Sequence, residues 1–174
     1  MTYAQPSGAR PNVPPGRTLE RTNRFLYALQ IGLAAGVIFG GIRWICWLFR
    51  FTKVLPGFLA EPFFLHDFLA GTGGHFVGWG FFTLLSLAAA LLYAPAASFL
   101  RGPWPAALYG AAWFGVLYLW IGPMFGMMEP VGRLNWDSLW TDFSVFTVWG
   151  LFIGYSLSYE FSDNSAFSSS GKLW

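Results

Sequence analysis

The sequence predicts an all-α integral membrane protein, a four-transmembrane-helix bundle with both termini in the cytoplasm. Three observations carry that prediction. Apolar residues make up 55% of the 174-residue chain and charged residues only 10%, whereas soluble domains carry charge on about a quarter of their positions. Four apolar runs are each long enough to cross a hydrocarbon core of ~30 Å as helices. Aromatics reach 21%, with ten Trp and nineteen Phe, and Trp and Tyr collect where hydrocarbon meets water. Transmembrane strands would alternate apolar and polar residues over about ten positions. These runs are longer and apolar on every side, and a helix satisfies its own backbone in lipid.

Residues 1–24 form the first element, a flexible basic tail. Pro6, Pro11, Pro14 and Pro15 leave no room for a regular structure, and Arg10, Arg17, Arg21 and Arg24 supply the charge. The first span follows at about 25–49. A secretory signal peptide would end in small residues, but this run ends in Trp44, Trp47, Leu48 and Phe49, so it is read as an uncleaved anchor. Residues 50–75 are apolar yet broken by Pro56-Gly57, Pro62 and Gly71 to Gly74. Such a segment is expected to lie along the membrane interface.

The second span is placed at about 76–100, without a formal charge and with Pro95 in its last turns. Arg101 to Pro105 make a short turn. Pro105 suits the first turn of the third span, at about 105–123, where its missing N–H costs nothing. Gly122-Pro123 is its stop. In the next connection Glu129, Arg133 and Asp137 are four apart, but Pro130 and Gly132 argue for a loop. Asn135 or Asp137 caps the fourth span, at about 139–159. These spans make residues 25–160 one membrane domain, and residues 161–174 read as a flexible Ser-rich tail.

Orientation follows from Lys and Arg. With four spans, Arg10, Arg17, Arg21, Arg24, Arg101 and Lys172 share one side, against Arg50, Lys53 and Arg133 on the other. The richer side is the cytoplasmic one. The net charge of +2 is too small to suggest nucleic acid. With Cys46 as the single cysteine, no intrachain disulfide forms and redox chemistry gives no compartment.

Three motifs resemble those of a known family. They are Phe51-Thr52-Lys53-Val54 with Pro56 two places on, Gly102-Pro103-Trp104-Pro105 followed by Leu108-Tyr109-Gly110, and the ending from Gly150 to Glu160. In that order, over about residues 25–160, they resemble the YqhR family of conserved membrane proteins from Bacillus-like, endospore-forming bacteria. The resemblance implies a small multi-span protein of the bacterial plasma membrane. It implies no reaction. The Arg- and Pro-rich N-tail, the Ser-rich C-tail and Gly71 to Gly74 depart from the family's pattern.

Several residues are candidates for more than lipid contact. Gly32, Gly36 and Gly40 on the first span, and Gly150, Gly154 and Ser158 on the fourth, are spaced by four. Small residues at that spacing let helix backbones approach closely, within one bundle or between copies. Arg43 is the one formal charge well inside an apolar span, on the face of Gly32 and Gly36 and ~9 Å beyond the span centre. It either snorkels to the interface or has a function inside the membrane. Asp142 lies in the first turns of the fourth span, which runs the opposite way, so the two sit at similar depth. A bidentate Arg43–Asp142 ion pair between neighbouring helices is therefore expected, against the alternative that each reaches water separately.

His66, Asp67 and His75 match no tight metal-binding spacing, so no metal or cofactor is expected. Ser86 and Ser98 have no nearby His, and their hydroxyls are expected to bond their own helix carbonyls. No catalytic motif is present. The expected function is a non-enzymatic accessory or structural membrane component, the alternative a small oligomeric transporter or channel. The expected partners are the lipid bilayer and either another membrane protein or further copies of the chain.

Overall fold

Asn23 opens the first helix. Its side-chain oxygen accepts from the Phe25 N–H at 3.2 Å, satisfying one of the amide donors that every helix start leaves bare. Helix α1 then runs Arg24–Leu48. The structure, a computed structural model, describes residues 23–97, 99–100, 102–128 and 131–170, with side chains as far as residue 160. The basic tail with Arg10, Arg17 and Arg21 lies outside those residues, as do Ser98, Arg101, Glu129 and Lys172.

Helix α1 ends in a Schellman turn, with Arg50 N–H bonded to Trp47 C=O at 2.9 Å and Phe51 N–H to Cys46 C=O at 2.9 Å. Arg50 takes the left-handed position at φ 61°, where glycine is usual. The turn sends the chain back towards the bundle. A 3-10 turn at Phe58–Ala60 and a short α2 at His66–Leu69 follow.

Helix α3 runs Thr72–Tyr93, displaced towards the N-terminus from the 76–100 expected. The glycines read as a linker form its first turn. A side chain at Gly74 would run into the Leu69 backbone, so glycine there permits α2 and α3 to pack. Pro95 cannot donate a backbone hydrogen bond, and past Tyr93 the chain continues as turns rather than helix.

Gly102, at φ 109°, turns the chain into α4, Pro103–Gly115. The rod continues through a π-helical segment, Val116–Ile121, and α5, Gly122–Met124. Gly122-Pro123 therefore does not stop the helix at once: the Gly122 N–H reaches back to Leu117 C=O, the wide turn's pattern. A second Schellman turn, with Gly126 at φ 63°, ends the rod. After a 3-10 turn at Val131–Arg133, α6 runs Trp136–Ser170. Asn135 stands at its N-cap position, its carbonyl accepting from Leu139 N–H at 3.2 Å. The helix passes well beyond residue 159, where a flexible tail was expected. Ser-rich composition weakens a helix less than a break does, and residues 161–170 contain neither Pro nor Gly.

Among the described residues, Arg24–Leu48, Thr72–Tyr93 and Pro103–Met124 are long and apolar enough to cross a membrane. Helix α6 is longer than any of them, but Thr141, Asp142, Ser144 and Thr147 dilute its apolar character. It packs antiparallel on α4, with Gly150 against Gly110 and Gly154 against Ala106. Helices α1 and α3 pair likewise, with Gly32 against Leu87 and Ala90 and Gly36 against Thr83. Gly40 leaves room for the Trp79 indole, whose N–H donates to Val37 C=O at 3.0 Å. The two hairpins join mainly where α1 meets α6. Both long connections lie at one end, here the loop end.

The connection after α1 does not simply lie along the interface as expected. Val54, Phe58, Leu59 and Ala60 are buried, while Phe63 and Leu65 beyond them are exposed. Gly78 explains the inward path: a Cβ there would collide with the Gly57 backbone, so the bare helix surface admits the loop.

Replacing Gly36 with Leu tests the seam between α1 and α3. A Cβ at Gly36 stands 2.5 Å from Thr83 Cα, and backbone cannot yield cheaply, so detergent melting should show destabilisation by at least about 1–3 kcal/mol. Gly80→Ala, with nothing within 4 Å of its Cβ, should be neutral or stabilising by up to ~1 kcal/mol. Equal melting of both variants would remove the close-packing account.

Candidate functional site

By helical angle Arg43 stands on α1 between Gly32 and Gly36, on the face whose glycines meet α3. From there its side chain reaches α6. One guanidinium nitrogen, Nη1, donates to Asp142 Oδ1 at 3.1 Å and to the Tyr118 hydroxyl at 3.1 Å. Arg43 is 1% exposed and Asp142 0%, so the reading in which each reaches water separately is excluded. By helical rise the pair lies roughly 7–9 Å inside the loop end.

The contact is not bidentate. Asp142 Oδ2 is taken by the Thr52 hydroxyl, which donates to it at 2.7 Å. Thr52 comes from the buried connection, delivered by the Schellman turn after α1. Its oxygen in turn accepts the Val54 N–H at 3.2 Å. The next residue, Lys53, is tied through its backbone, its N–H donating to Ser138 Oγ at 3.0 Å.

Apolar rings close the remaining sides. The Arg43 guanidinium carbon lies 4.5 Å from the Phe58 ring centre and 5.7 Å from that of Phe146. A cation over a ring face is attracted by its quadrupole. Among the described residues Arg43 Nε and Nη2 have no hydrogen-bond partner, and the aromatic faces meet the rest of the charge. Tyr118 is fully buried beside Leu117, which is 2% exposed. Two successive buried residues at this point belong to the π-helical segment, a local irregularity frequent at functional sites.

Sequence reasoning named Arg43 and Asp142 but missed Thr52, Phe58 and Tyr118. Thr52 left a signal, a hydroxyl within an apolar connection. Tyr118 left none, since a tyrosine near a span's end suits an interface equally well.

The other candidates fall elsewhere. Gly32, Gly36, Gly40, Gly150 and Gly154 all face neighbouring helices of the same chain, and Ser158 Oγ donates to Leu100 C=O at 2.8 Å. His66 bonds Glu61 at 2.7 Å, while the His75 ring packs 4.5 Å from that of Trp47. Among the described residues no three His, Cys, Asp or Glu side chains gather into a metal-binding group. Ser86 Oγ donates to Phe82 C=O at 2.8 Å and also accepts the Trp149 indole N–H at 2.9 Å, so it ties α3 to α6 as well.

The family described as conserved membrane protein YqhR matches residues 19–171. The chain is 28% identical over 132 residues to the uncharacterized protein YqhR of Bacillus subtilis (strain 168), covering 76% of this chain and 74% of that one. No solved structure matches. What is similar is thus a conserved membrane protein family with an uncharacterized member.

Removing one member of the buried pair leaves the other uncompensated. Arg43→Gln and Asp142→Asn should each destabilise the protein by about 3–5 kcal/mol, and Thr52→Val by about 1–3 kcal/mol. In a double-mutant cycle on thermal or denaturant unfolding, Arg43→Gln with Asp142→Asn should be clearly non-additive. Additive losses would mean that the contact contributes no coupling.

Proposed function

The chain belongs to the YqhR family of conserved membrane proteins, and from that premise we propose that it is a non-enzymatic accessory or structural component of the bacterial plasma membrane. In this reading it crosses the bilayer four times, α6 supplying the fourth span, with both termini in the cytoplasm. The observation that carries the proposal is how the buried polar groups are used. Arg43, Asp142, Tyr118 and Thr52 bond to one another across three helical elements and a connection, sealed by Phe58 and Phe146. Both Asp142 oxygens are engaged. Such a cluster favours a fixed arrangement of helices over turnover of a substrate.

Two features support α6 as a span. It packs alongside α4, and Trp136, Trp140 and Tyr159 are exposed near the two ends of its apolar stretch, where interfacial aromatics belong. The Lys and Arg bias supports the orientation. A second reading, a small oligomeric transporter or channel, is favoured by one observation: the π-helical segment beside the ion pair, since transporters place irregular helices at their binding sites.

Two measurements separate these readings. Purification in mild detergent, followed by mass spectrometry, should yield a complex with a second membrane protein in fixed ratio. A homo-oligomer alone would move the weight to transport. For orientation, Cys46 is first replaced by Ala. A cysteine introduced at Arg10 should then escape an impermeant thiol reagent in intact cells and react after lysis. Labelling of that position in intact cells would reverse the topology.

A further inference from the structure

The loop end carries a second polar feature outside the sealed cluster. A cleft of about 400 Å³ opens between the connection after α1 and the one before α6, lined by Lys53, Glu61, His66 and Arg133 with Met127 and Met128 among its apolar walls. Its volume lies within the usual range for small-molecule sites, roughly 300–1,000 Å³.

Among the described residues its lining carries two cations, the exposed Lys53 and Arg133, against one carboxylate, Glu61. Glu61 already bonds His66 at 2.7 Å, whereas Lys53 and Arg133 form no ion pair among the described residues. Nor is Lys53 on a slack loop. Thr52 and Val54 on either side of it are 2% and 4% exposed. Its own N–H is fastened to Ser138, and Thr52 to Asp142. The backbone that carries Lys53 is therefore held by the buried ion pair, and Arg133 ends the 3-10 turn on the facing connection. Two cations lining one cleft fit one multi-oxygen anion, and the methionines supply an adaptable apolar surface beside it.

Depth identifies the anion. The ion pair lies roughly 7–9 Å within the helix ends, and exposed Trp120, Trp136 and Trp140 ring the same end, as interfacial tryptophans do. The cleft accordingly opens at headgroup level, where phosphate is the abundant anion. We propose that this cleft binds a phosphate ester between Lys53 and Arg133, with the apolar part of the ligand against Met127 and Met128. The site goes beyond the accessory role and does not depend on it. A phospholipid headgroup and a free phosphate share this chemistry, and the test separates them.

The full chain, purified in neutral detergent, is titrated with dihexanoyl phosphatidylglycerol below its micelle-forming concentration and, separately, with inorganic phosphate, following thermal melting and native mass spectrometry. Saturable binding of one short-chain lipid per chain is expected. The paired variant Lys53→Gln with Arg133→Gln should weaken it by roughly tenfold or more. Lys53→Arg with Arg133→Lys, which keeps both charges, should retain it. Arg50→Gln, outside the cleft lining, should leave it unchanged. Saturable protection by inorganic phosphate at equal affinity would assign the site to free phosphate instead of lipid. Absence of saturable binding by either probe overturns the proposal, as does binding that the paired Gln variant leaves intact or that Arg50→Gln weakens equally.

Discussion

Arg43 and Asp142 face each other across α1 and α6 at 3.1 Å with almost no exposure. Burying either charge alone is costly, since removing one partner of a buried pair leaves the other uncompensated. Pairing offsets that cost only in one geometry, and the rest of the loop end follows from it. Helix α1 must be rotated so that its glycines meet α3 while the Arg43 side chain still reaches α6. Helix α6 must begin early enough to bring Asp142 to the same level. Tyr118 must point inward from the π-helical segment, and Thr52 must return from the end of α1 to take the second carboxylate oxygen. One ion pair thus sets the rotation of two helices, the register of a third and the path of a connection.

Specific geometry is needed because lipid supplies little else. Helices in hydrocarbon gain almost nothing from the hydrophobic effect on meeting, so association rests on close packing and hydrogen bonds. The two are divided between different seams. Within each hairpin, small residues carry the contact: Gly32 and Gly36 against α3, and Gly110 against Gly150 between α4 and α6. Between the hairpins, polar bonds carry it, with Arg43 to Asp142 and the Trp149 indole to Ser86. Close packing alone can slide by a turn and repack. A buried charge pair cannot slide without exposing both partners to hydrocarbon.

The sequence made the helical rods, and Arg43 and Asp142 within them, legible because length, apolarity and depth are all counted along the chain. Position on opposite-running helices is enough to say that two residues share a level. It does not say what else reaches that level. Thr52 belongs to a connection whose Pro and Gly breaks suggested a surface path, and only the missing side chain at Gly78, more than twenty positions on, reveals the recess that admits it. Gly78 and Gly110 escaped notice although each stands four residues after another small one, Gly74 and Ala106. Each matters through what faces it, Gly57 in one case and Gly150 in the other. The π-helical segment was invisible for a similar reason. Gly122-Pro123 marks an interruption, and whether the chain stops or widens its turn depends on whether its free carbonyls find donors. Here the Gly122 N–H reaches Leu117 C=O.

The buried connection shows how far the ion pair's influence extends. Irregular backbone at membrane depth is tolerated only where protein satisfies it, and from Lys53 to Ala60 four of the backbone donors are provided for. Lys53 N–H meets Ser138 Oγ and Val54 N–H meets Thr52 Oγ1. Phe58 N–H meets Leu55 C=O at 3.1 Å, and Ala60 N–H meets Gly57 C=O at 2.8 Å. Pro56 has no N–H to satisfy. Val54 N–H bonds the same Thr52 hydroxyl that donates to Asp142, and Lys53 N–H bonds α6 one turn before that carboxylate. Losing the carboxylate therefore strands more than the guanidinium: it also removes the acceptor of the Thr52 hydroxyl, on the connection that places Phe58 over Arg43. The connection covers the ion pair, and the pair's carboxylate holds the connection at Thr52.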